Sequence, residues 1–523
     1  MDLCSIPTSK KEVEALGWNY IDVILFSGDA FVDHPSFGTA IIARVLEAAG
    51  FRVAVVPQPN WRDDLRDFRK LGSPRLFFGV TSGAMDSMVN HYTAARRLRS
   101  DDAYTPEGRA GARPDRATTV YTRILKELFP EVPVVIGGIE ASLRREPHYD
   151  YWSDSVRPSI LEESGADYLV SGMGELPVLY LADKFGGKFG RKVSLKIVGD
   201  LENQVKVEGK IISADPLSTE QMDWIYGLPY TKLPHPRYKG KRIPAYDMIK
   251  FSITTHRGCF GGCNFCAITA HQGKTIQSRS EESVVDEIRA LTAHPEFKGT
   301  ITDLGAPTAN MYRMGGKDRS LCSKCRRTSC LFPSLCRNLD HDHTPLLHLY
   351  EKVLPIPGVK HVYICSGIRY DLFLDENGFL DEAGRKYFEQ LVLKHTSGRL
   401  KVAPEHTEDH VLKAMAKPGF KLFERLRIEF DRIVGIHNLK YQLVPYFISA
   451  HPGCTEKDME ALSRKAALHG LYMDQVQDFT PTPMTVSTRM FHTGEDPITG
   501  EKIFVERDVT KKQRQKSFFF KKR

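Results

Sequence analysis

Three closely spaced cysteines carry the strongest chemical signal of the sequence. Cys259, Cys263 and Cys266 lie within the segment R-G-C-F-G-G-C-N-F-C and are spaced C-x3-C-x2-C. Three thiolates can bind three irons of a cubane iron–sulfur cluster and leave the fourth iron open to a small-molecule ligand. The spacing therefore predicts an iron–sulfur site with one open iron at these three residues.

A zinc site is the alternative interpretation of the same segment. Structural zinc requires a fourth cysteine or histidine, and His256 and His271 are near in the sequence. The aromatic Phe265 precedes the last cysteine, and the run F-S-I-T-T-H before the first cysteine is typical of a strand. These two features favour the cluster over zinc.

A second group of cysteines follows within fifteen residues, in C-S-K-C-R-R-T-S-C-L-F-P-S-L-C. Four thiolates suit a tetrahedral zinc ion or an auxiliary iron–sulfur cluster, and basic neighbours would offset their negative charge. The spacing predicts a second metal site and leaves the metal open. Its members are Cys322, Cys325, Cys330 and Cys336, and the basic neighbours are Lys324, Arg326, Arg327 and Arg337.

The remaining cysteines, Cys4, Cys365 and Cys454, are interpreted as small buried or free thiols. Seven of the ten cysteines lie between 259 and 336, and the N-terminal residues lack the apolar run of an export signal. In such a chain clustered cysteines indicate metal ligation rather than disulfides, so the cytoplasm is the expected compartment.

The elements that must position these thiols form a strand–helix series in the C-terminal half. Six short apolar runs alternate with helical patterns and predict a partial (β/α)6 barrel over 246–500, with a Cys-rich insertion at 313–345. The triplet then lies in the loop after the first strand, on the face where such barrels hold their chemistry. The predicted strands are 248–258, 299–306, 361–368, 399–406, 441–450 and 471–481.

The N-terminal half shows a second strand–helix alternation. Its apolar runs lack a polar alternation, as expected for a parallel sheet covered on both faces. The sequence therefore predicts a Rossmann-like domain at 1–200, then a linker with short strands at 201–245, and at the far end a basic tail at 501–523. The predicted strands of this domain are 20–28, 52–58, 75–83, 132–142 and 166–175.

Composition excludes several functional classes. The 523 residues contain 73 basic and 65 acidic side chains, a net charge of +8, which is too mild to indicate nucleic acid by itself. No run approaches the about 18 apolar residues of a membrane span. A membrane partner is therefore not expected, and support for a nucleic-acid partner is weak.

The triplet with Phe265 has the form C-x3-C-x-φ-C, where φ is aromatic, and resembles the signature of the radical S-adenosylmethionine (radical SAM) superfamily. Longer stretches resemble one branch of it, the YgiQ-type radical SAM proteins. The likeness covers nearly the whole chain, and these stretches are 33–51, 135–145, 302–314, 366–374, 401–419, 446–459 and 475–497.

The resemblance implies an enzyme that uses a [4Fe–4S] cluster and SAM. In the family the open iron binds the amino and carboxylate groups of SAM, and an electron cleaves the sulfonium to give methionine and a 5′-deoxyadenosyl radical. The radical then takes hydrogen from a substrate, here an unknown small molecule or macromolecule. An electron donor such as flavodoxin or ferredoxin is the expected partner.

Carried onto this sequence, the resemblance implies further cofactor-binding residues. Gly305 to Pro307 fall where the family contacts the SAM amino group, and L-G-A-P there favours a backbone role. Glu405 is placed to meet polar groups of SAM, with a helix cap as its alternative role. Ser366 and Arg369 are expected to bind SAM or an acidic substrate group, and the alternative for Arg369 is a salt bridge with Asp371. His451 is a candidate through its position after a strand alone.

The N-terminal domain resembles the cobalamin-binding type found before many radical SAM barrels. That type often carries D-x-H-x-x-G, whereas this chain has Asp33-His34-Pro35-Ser36-Phe37-Gly38, with the histidine one place early. The departure argues against cobalamin, and a cobalamin-dependent methylase would depend on His34. Two other functions stay open: a methylthiotransferase-like RNA-modifying enzyme, and a non-enzymatic iron–sulfur or zinc protein.

Overall fold

The computed structural model describes residues 5–190, 192–471 and 476–519. Two compact units make up the chain, Met1–Lys250 and Phe251–Arg523. Cys4 lies outside the described residues, as does part of the last predicted strand, 471–481.

A seven-stranded sheet forms the centre of the first unit. Its order is β2-β1-β3-β4-β7-β9-β8, and every neighbouring pair is parallel except β8 and β9. The other two strands, β5 and β6, form a separate hairpin. The strands are β1 Val23–Ser27, β2 Val53–Pro57, β3 Phe77–Thr81, β4 Val134–Ile136, β5 His148–Asp150, β6 Ser155–Arg157, β7 Tyr168–Val170, β8 Val205–Glu208 and β9 Ile211–Ala214.

Helices cover both faces of this sheet, which explains why its strands are apolar throughout. On β1, Val23 and Leu25 belong to one hydrophobic core, whereas Ile24 and Phe26 belong to another. Since successive side chains of a strand point to opposite faces, the sheet separates the two cores. The helices are α1 Lys10–Ala15, α2 Gly38–Ala48, α3 Arg66–Arg69, α4 Ser87–His91, α5 Ala117–Leu128, α6 Gly138–Leu143, α7 Ile160–Ser164, α8 Glu175–Gly186, α9 Leu201–Gln204, α10 Thr219–Tyr226 and α11 Pro244–Ile249.

The expectation of a mixed α/β fold with a largely parallel N-terminal sheet is confirmed. The segment 201–245 supplies β8 and β9 to that sheet, and Met222 and Ile225 of α10 are buried in its core. The segment therefore packs as part of the first unit, because its apolar side chains find partners there.

The second unit is built on short parallel strand pairs. β10 pairs with β14, β13 pairs with β17, and β20, β21 and β22 form a three-stranded sheet, all in parallel. The strands are β10 Ser252–Thr254, β11 His256–Arg257, β12 Gln277–Ser278, β13 Thr300–Ile301, β14 Asp303–Gly305, β15 Gly315–Gly316, β16 Leu339–Asp340, β17 His361–Val362, β18 Leu374–Asp375, β19 Gly378–Phe379, β20 Arg399–Glu405, β21 Gln442–Ser449 and β22 Val476–Asp478.

The helices of the second unit follow these strands. Ser280 caps α13, where its hydroxyl accepts a hydrogen bond from the Ser283 amide at 3.1 Å, as its place before two glutamates predicts. The helices are α12 Ile268–Gln272, α13 Glu281–Thr292, α14 Arg319–Ser323, α15 Thr344–Val353, α16 Glu382–Lys394, α17 Asp409–Ala414, α18 Phe420–Ile436, α19 Glu456–Leu468, α20 Val486–Thr493 and α21 Val509–Ser517.

Much of the basic C-terminal tail is folded. Lys512 and Gln515 of α21 are buried, and the Gln515 side chain accepts a hydrogen bond from the Ala450 amide at 3.0 Å. This helix therefore packs onto the second unit. Among the described residues, no helix combines the length and apolar character that crossing a membrane requires.

Candidate metal centre

The loop that carries the first three cysteines begins directly after β11. Its glycines allow a tight path: Gly258 has a φ of +88°, and a Cβ there would lie 2.2 Å from the Thr275 carbonyl oxygen. Gly262 has a φ of +61°, and a Cβ there would meet the backbone of Thr328 and Ser329. Only glycine fits such positions without displacing the backbone, so the sequence R-G-C-F-G-G-C determines the local fold.

The structure brings the three thiols of this loop together. Burial, together with the charges of Cys263 and Cys259, raises the pKa of Cys266 to about 12. Burial also raises the pKa of Cys259, with Cys263 contributing in the same direction. Burial and mutual repulsion thus disfavour free thiolates here, and iron would relieve both by taking the negative charge.

The donor set fits an iron–sulfur cluster. Among the described residues, no group of three or more Cys, His, Asp or Glu is arranged around a single ion position. Three cysteine thiols on one loop are nonetheless the donors that a cubane cluster with one open iron uses. Of the two nearby histidines, His256 is fully buried, and its Nε2 is 3.0 Å from the Thr308 carbonyl.

Arg369 contacts the triplet directly. Its guanidinium donates a hydrogen bond to Cys263 Sγ at 3.1 Å and forms an ion pair with Asp371 at 2.5 Å. Asn310 fixes its backbone through two hydrogen bonds, one in each direction, of 2.8 and 2.9 Å. The salt bridge considered for this arginine is therefore present, and the same side chain also faces a predicted cluster ligand.

Glu405 ends β20 in a strained conformation, with a φ of +71°. Its carboxyl group is buried, and Lys417 Nζ lies 4.0 Å from one of its oxygens. Burial raises the pKa of Glu405 to about 7, although the charges of Lys417 and Arg369 oppose the rise. A strained, buried acid beside Cys266 is typical of a functional position rather than of a helix cap.

The pKa of Glu405 predicts a pH-dependent stability for the protein without cluster and SAM. The folded state holds the proton more tightly than the unfolded state, so the free energy of unfolding falls as pH rises from about 4.5 through about 7. A shift of this size corresponds to roughly 3 kcal/mol. The variant Glu405→Gln is expected to match wild type near pH 4.5 and to be more stable by that amount at pH 8, as measured by urea denaturation.

The exposed Glu376 supplies a matched control for this experiment, because its carboxylate is largely in solvent. Glu376→Gln should follow the wild-type pH dependence. Equal free energies of unfolding for wild type and Glu405→Gln at pH 8 would contradict this prediction. They would show that the Glu405 carboxyl ionises as readily in the folded protein as in the unfolded protein.

Two predicted SAM-binding residues, Gly305 and Ser366, lie close together, and Asp303 holds Ser366 there by hydrogen bonds. The sequence interpretation did not include Asp303. Asp303 accepts hydrogen bonds from the amides of Cys365 at 2.8 Å and Ser366 at 3.1 Å, and the Ser366 hydroxyl also donates to it. A Cβ at Gly305 would lie 2.7 Å from Ser366 Oγ, so glycine permits this close approach. Asp303 lies two residues before Gly305 in the same predicted strand, and this position could have marked it as a candidate site residue.

Backbone hydrogen bonds engage Gly305 of the L-G-A-P segment, and the residues after it approach the cysteine triplet. The Gly305 carbonyl accepts hydrogen bonds from the Thr255 amide at 2.9 Å and the Thr255 hydroxyl at 3.2 Å. Pro307 follows two residues later, and Thr308 Oγ1 lies 3.3 Å from Cys259 Sγ. The backbone after Gly305 thus runs beside the cysteine triplet.

Phe265 and His451 contact one another. Their rings are 6.2 Å apart and nearly perpendicular. His451 is fully buried, its Nδ1 donates to the Pro452 carbonyl at 2.8 Å, and its Nε2 is hydrogen-bonded to Ser487 Oγ at 2.7 Å. Burial lowers the pKa of His451 to about 4. This histidine is neutral and fully hydrogen-bonded, so it acts as a packing partner of the loop.

The second cysteine group packs onto the loop of the first. The Cys330 amide donates to the Phe260 carbonyl at 3.0 Å, and the Ser329 hydroxyl donates to the Gly261 carbonyl at 2.6 Å. Burial raises the pKa of Cys330, and the charges of the other three thiols raise it further. The thiols of this group are therefore near enough to Cys330 to affect it electrostatically.

Two residues of the altered Asp33-His34 motif bear on whether the N-terminal unit could hold a corrinoid. His34 is 1% exposed, and its Nδ1 accepts a hydrogen bond from the Ser36 amide at 3.1 Å. Asp33 forms a buried ion pair with Arg44 at 2.5 Å. Both residues of the altered motif are thus engaged inside the protein, and the His34 imidazole is not exposed.

The crevice beyond β1 and β3 is filled by the chain itself. Open parallel sheets bind ligands where the strand order reverses, here between these two strands. Arg113 is fully buried there and pairs with Asp29 at 2.8 Å and with Asp102 at 3.0 Å. A Cβ at Gly28 would lie 2.3 Å from the Ser82 carbonyl oxygen. These ion pairs and the close backbone approach occupy the deep part of the crevice.

Comparison with known proteins agrees with the α/β fold and assigns the chain to a family. The sequence matches the family described as Radical SAM N-terminal over residues 5–200 and 193–252, and a domain of unknown function (DUF3362) over 474–521. A UPF0313 protein of Bacteroides thetaiotaomicron is 50% identical, covering 98% of this chain and 93% of that protein. The UPF0313 protein YgiQ of Salmonella typhimurium is 41% identical, covering 94% and 82%.

Among solved structures, the radical S-adenosylmethionine methyltransferase TsrM of Kitasatospora setae, with cobalamin and a [4Fe–4S] cluster bound, matches with a TM-score of 0.50. The two chains are 16% identical, and the match covers 89% of this chain and 77% of that one. At this identity the likeness concerns the fold alone.

Fold, site and comparisons together define a protein of the radical SAM class. The chain belongs to the UPF0313 family, at 50% identity over nearly its whole length. The resemblance to YgiQ-type radical SAM proteins, stated from the sequence, is thereby confirmed.

Proposed function

We propose that this protein is a radical SAM enzyme with a [4Fe–4S] cluster on Cys259, Cys263 and Cys266. The observation that carries the proposal is the set of three mutually interacting thiols on one glycine-containing loop, with Arg369 donating a hydrogen bond to Cys263. Such a cluster, once reduced by a donor such as flavodoxin or ferredoxin, supplies the electron that cleaves SAM to methionine and a 5′-deoxyadenosyl radical.

The parallel strands of the second unit support an open (β/α)6 barrel as the scaffold of this enzyme. Six strand positions at 252–254, 300–305, 361–362, 399–405, 442–449 and 476–478 pair in parallel, and helices separate them along the chain. Barrels of this type hold functional groups at the carboxyl ends of their strands. Gly305 and Glu405 are both last residues of such strands.

Residues of three strand ends would bind SAM or position its ligands. Because the Gly305 carbonyl already accepts hydrogen bonds from Thr255, the backbone that follows it, up to Pro307, would accept the hydrogen bond from the SAM amino group. Glu405 supplies a buried carboxyl whose raised pKa leaves it ready to take or release a proton near neutrality. Asp303 holds Ser366 in place as a positioning residue.

The test is anaerobic purification and reconstitution with iron and sulfide, followed by reduction with dithionite and addition of SAM. We expect 5′-deoxyadenosine, detected by liquid chromatography and mass spectrometry. A protein that binds only zinc and forms no nucleoside product would overturn the proposal in favour of a non-enzymatic metal protein.

We further propose that the second cysteine group binds its own metal, either zinc or an auxiliary cluster. Replacing Cys330, the member with a raised pKa and a hydrogen bond to the first loop, should remove that metal and leave the first cluster. Iron, sulfide and zinc analysis of Cys330→Ala gives the identity of the metal that is lost. Cys365→Ala is the matched control, since that thiol is exposed outside both groups. Unchanged metal content in Cys330→Ala would contradict the second site.

Cobalamin is not part of the proposal, because Asp33, His34 and the crevice around Arg113 are occupied by internal contacts. The free cysteines of the described residues suit a reducing compartment, so we propose the cytoplasm as the location. The class of substrate stays open between small molecules and macromolecules, including the RNA targets of a methylthiotransferase-like enzyme.

A further inference from the structure

The Cys-rich insertion of the second unit carries a concentrated positive charge. Between residues 317 and 337 the sequence has six basic side chains and one acidic side chain, Asp318, whereas the whole chain has 73 basic and 65 acidic ones. The Asp318 carboxylate accepts a hydrogen bond from the Ser320 amide at 2.8 Å and so caps α14. The six basic residues are Lys317, Arg319, Lys324, Arg326, Arg327 and Arg337.

The second cysteine group accounts for only part of this charge. Arg327 is turned inward, where its guanidinium donates hydrogen bonds to the carbonyls of Ser329 at 3.0 Å and Phe332 at 3.1 Å. The other five basic side chains are exposed and form no ion pair with any residue that the structure describes. Four thiolates on a divalent metal would leave about two negative charges, so a clear positive excess stays exposed to solvent.

Backbone contacts bring the ends of this segment together around Cys322. The Lys317 amide donates to the Asn338 carbonyl at 2.8 Å, which places Arg337 beside the start of α14. Asn338 Nδ2 also donates to Cys322 Sγ at 3.3 Å, and the Cys325 amide donates to the Cys322 carbonyl at 3.1 Å. The five exposed basic residues therefore form one region, here called the insertion surface: Lys317, Arg319, Lys324, Arg326 and Arg337.

An exposed apolar side chain lies among these charges. Leu321 of α14 is 59% exposed, and the neighbouring Cys322 is exposed as well. An apolar centre with a charged rim is the usual anatomy of a protein interface. Single-stranded nucleic acid stacks on exposed aromatic rings, but Phe332 is the single Phe, Tyr or Trp between 317 and 337 and is half-buried. The surface therefore favours an acidic protein over RNA.

The segment that carries this surface packs directly on the loop of the cysteine triplet. The Cys330 amide donates to the Phe260 carbonyl at 3.0 Å, and the Ser329 hydroxyl donates to the Gly261 carbonyl at 2.6 Å. Phe260 and Gly261 lie between the first two cysteines of the triplet. Electron transfer falls steeply with distance, so a redox protein bound to the insertion would be well placed to reduce a cluster on that loop.

We propose that the insertion surface is the docking site of an acidic one-electron donor protein of the flavodoxin type. The inference rests on the proposed function and adds the place where the electron enters. In the transfer the donor loses one electron and the [4Fe–4S] cluster gains it, changing from the 2+ to the 1+ state, and no bond forms or breaks. Opposite charges on the two proteins would speed their association and orient the donor.

Isothermal titration of the reconstituted protein with an oxidised, acidic flavodoxin measures docking without catalysis. Lys317→Glu with Arg319→Glu reverses two charges outside the cysteine run and should weaken binding about tenfold. Raising the salt from about 0.02 M to about 0.3 M should weaken wild-type binding as well. With pre-reduced flavodoxin as the reductant, the same variant should raise the KM for flavodoxin about tenfold, whereas product formation driven by dithionite should match wild type.

A second variant tests the surface inside the cysteine run. Lys324→Gln with Arg326→Gln removes two charges, keeps polar side chains and should also weaken flavodoxin binding. Lys394→Glu with Lys440→Glu is the matched control, because both side chains are exposed on the second unit outside the insertion and the change in charge equals that of the first variant. This control should leave binding and KM unchanged, and iron and zinc analysis should show unaltered metal content in every variant.

Three results would each overturn the docking site. They are no saturable flavodoxin binding at low salt, equal binding by the control and both insertion variants, or RNA binding that exceeds flavodoxin binding and is lost in Lys317→Glu with Arg319→Glu. Failure of the proposed enzyme has a different sign. Wild type would then form no 5′-deoxyadenosine with dithionite and SAM, while charge-dependent flavodoxin binding would still support the docking site.

Discussion

Cys263→Ala is expected to abolish 5′-deoxyadenosine formation, with loss below detection. This thiol receives the Arg369 hydrogen bond at 3.1 Å and belongs to a triplet with no spare cysteine in its loop. Two remaining thiolates cannot hold three irons of a cubane, so the cluster should be lost as well. Iron and sulfide analysis after anaerobic reconstitution, with the visible absorption of the cluster, measures that loss alongside the product.

The comparison that isolates this effect uses cysteines outside the triplet. Cys365→Ala should retain about four irons per chain at the first site and full product formation. Cys330→Ala should also retain the triplet's cluster, because its thiol belongs to the second group. If Cys263→Ala keeps both its iron and its product while remaining folded by circular dichroism, the assignment of the cluster to this triplet is refuted.

The ion pair beside the cluster is expected to set its reduction potential. Arg369 presents a positive charge and a donor to Cys263, and Asp371 partly neutralises that charge. Hydrogen bonds and positive charge at a ligand sulfur favour the reduced cluster. Asp371→Asn should therefore raise the potential, and the double variant Arg369→Gln with Asp371→Asn should lower it relative to wild type.

A charge-assisted hydrogen bond is worth about 1.5 kcal/mol, which corresponds to about 60 mV for a one-electron couple. Anaerobic redox titration followed by electron paramagnetic resonance measures both shifts. The double variant removes the two charges together, so no unpaired charge is left buried and the fold should persist. Shifts of the same sign in the two variants would contradict an electrostatic effect of Arg369 on the cluster.

The sequence determined the elements and the chemical class of this protein. Uninterrupted apolar runs predicted the parallel N-terminal sheet, because a strand that is buried on both faces carries apolar residues at every position. On β1, Val23 lies in one core and its neighbour Ile24 in the other. The C-x3-C-x2-C spacing and its glycines predicted the thiol loop because a tight turn of this kind depends on neighbouring residues alone. Membership of the radical SAM class followed from the same short segment.

The tertiary structure alone decided which distant side chains complete the sites. Arg369 lies 106 residues from Cys263, and Ser366 lies 63 residues from Asp303, yet each pair is in contact. The internal ion pairs of Arg113 also depend on where the long connection after β3 packs. Local periodicity reports the conformation of neighbouring residues, whereas such contacts depend on the order of strands in space and on the paths of the loops between them.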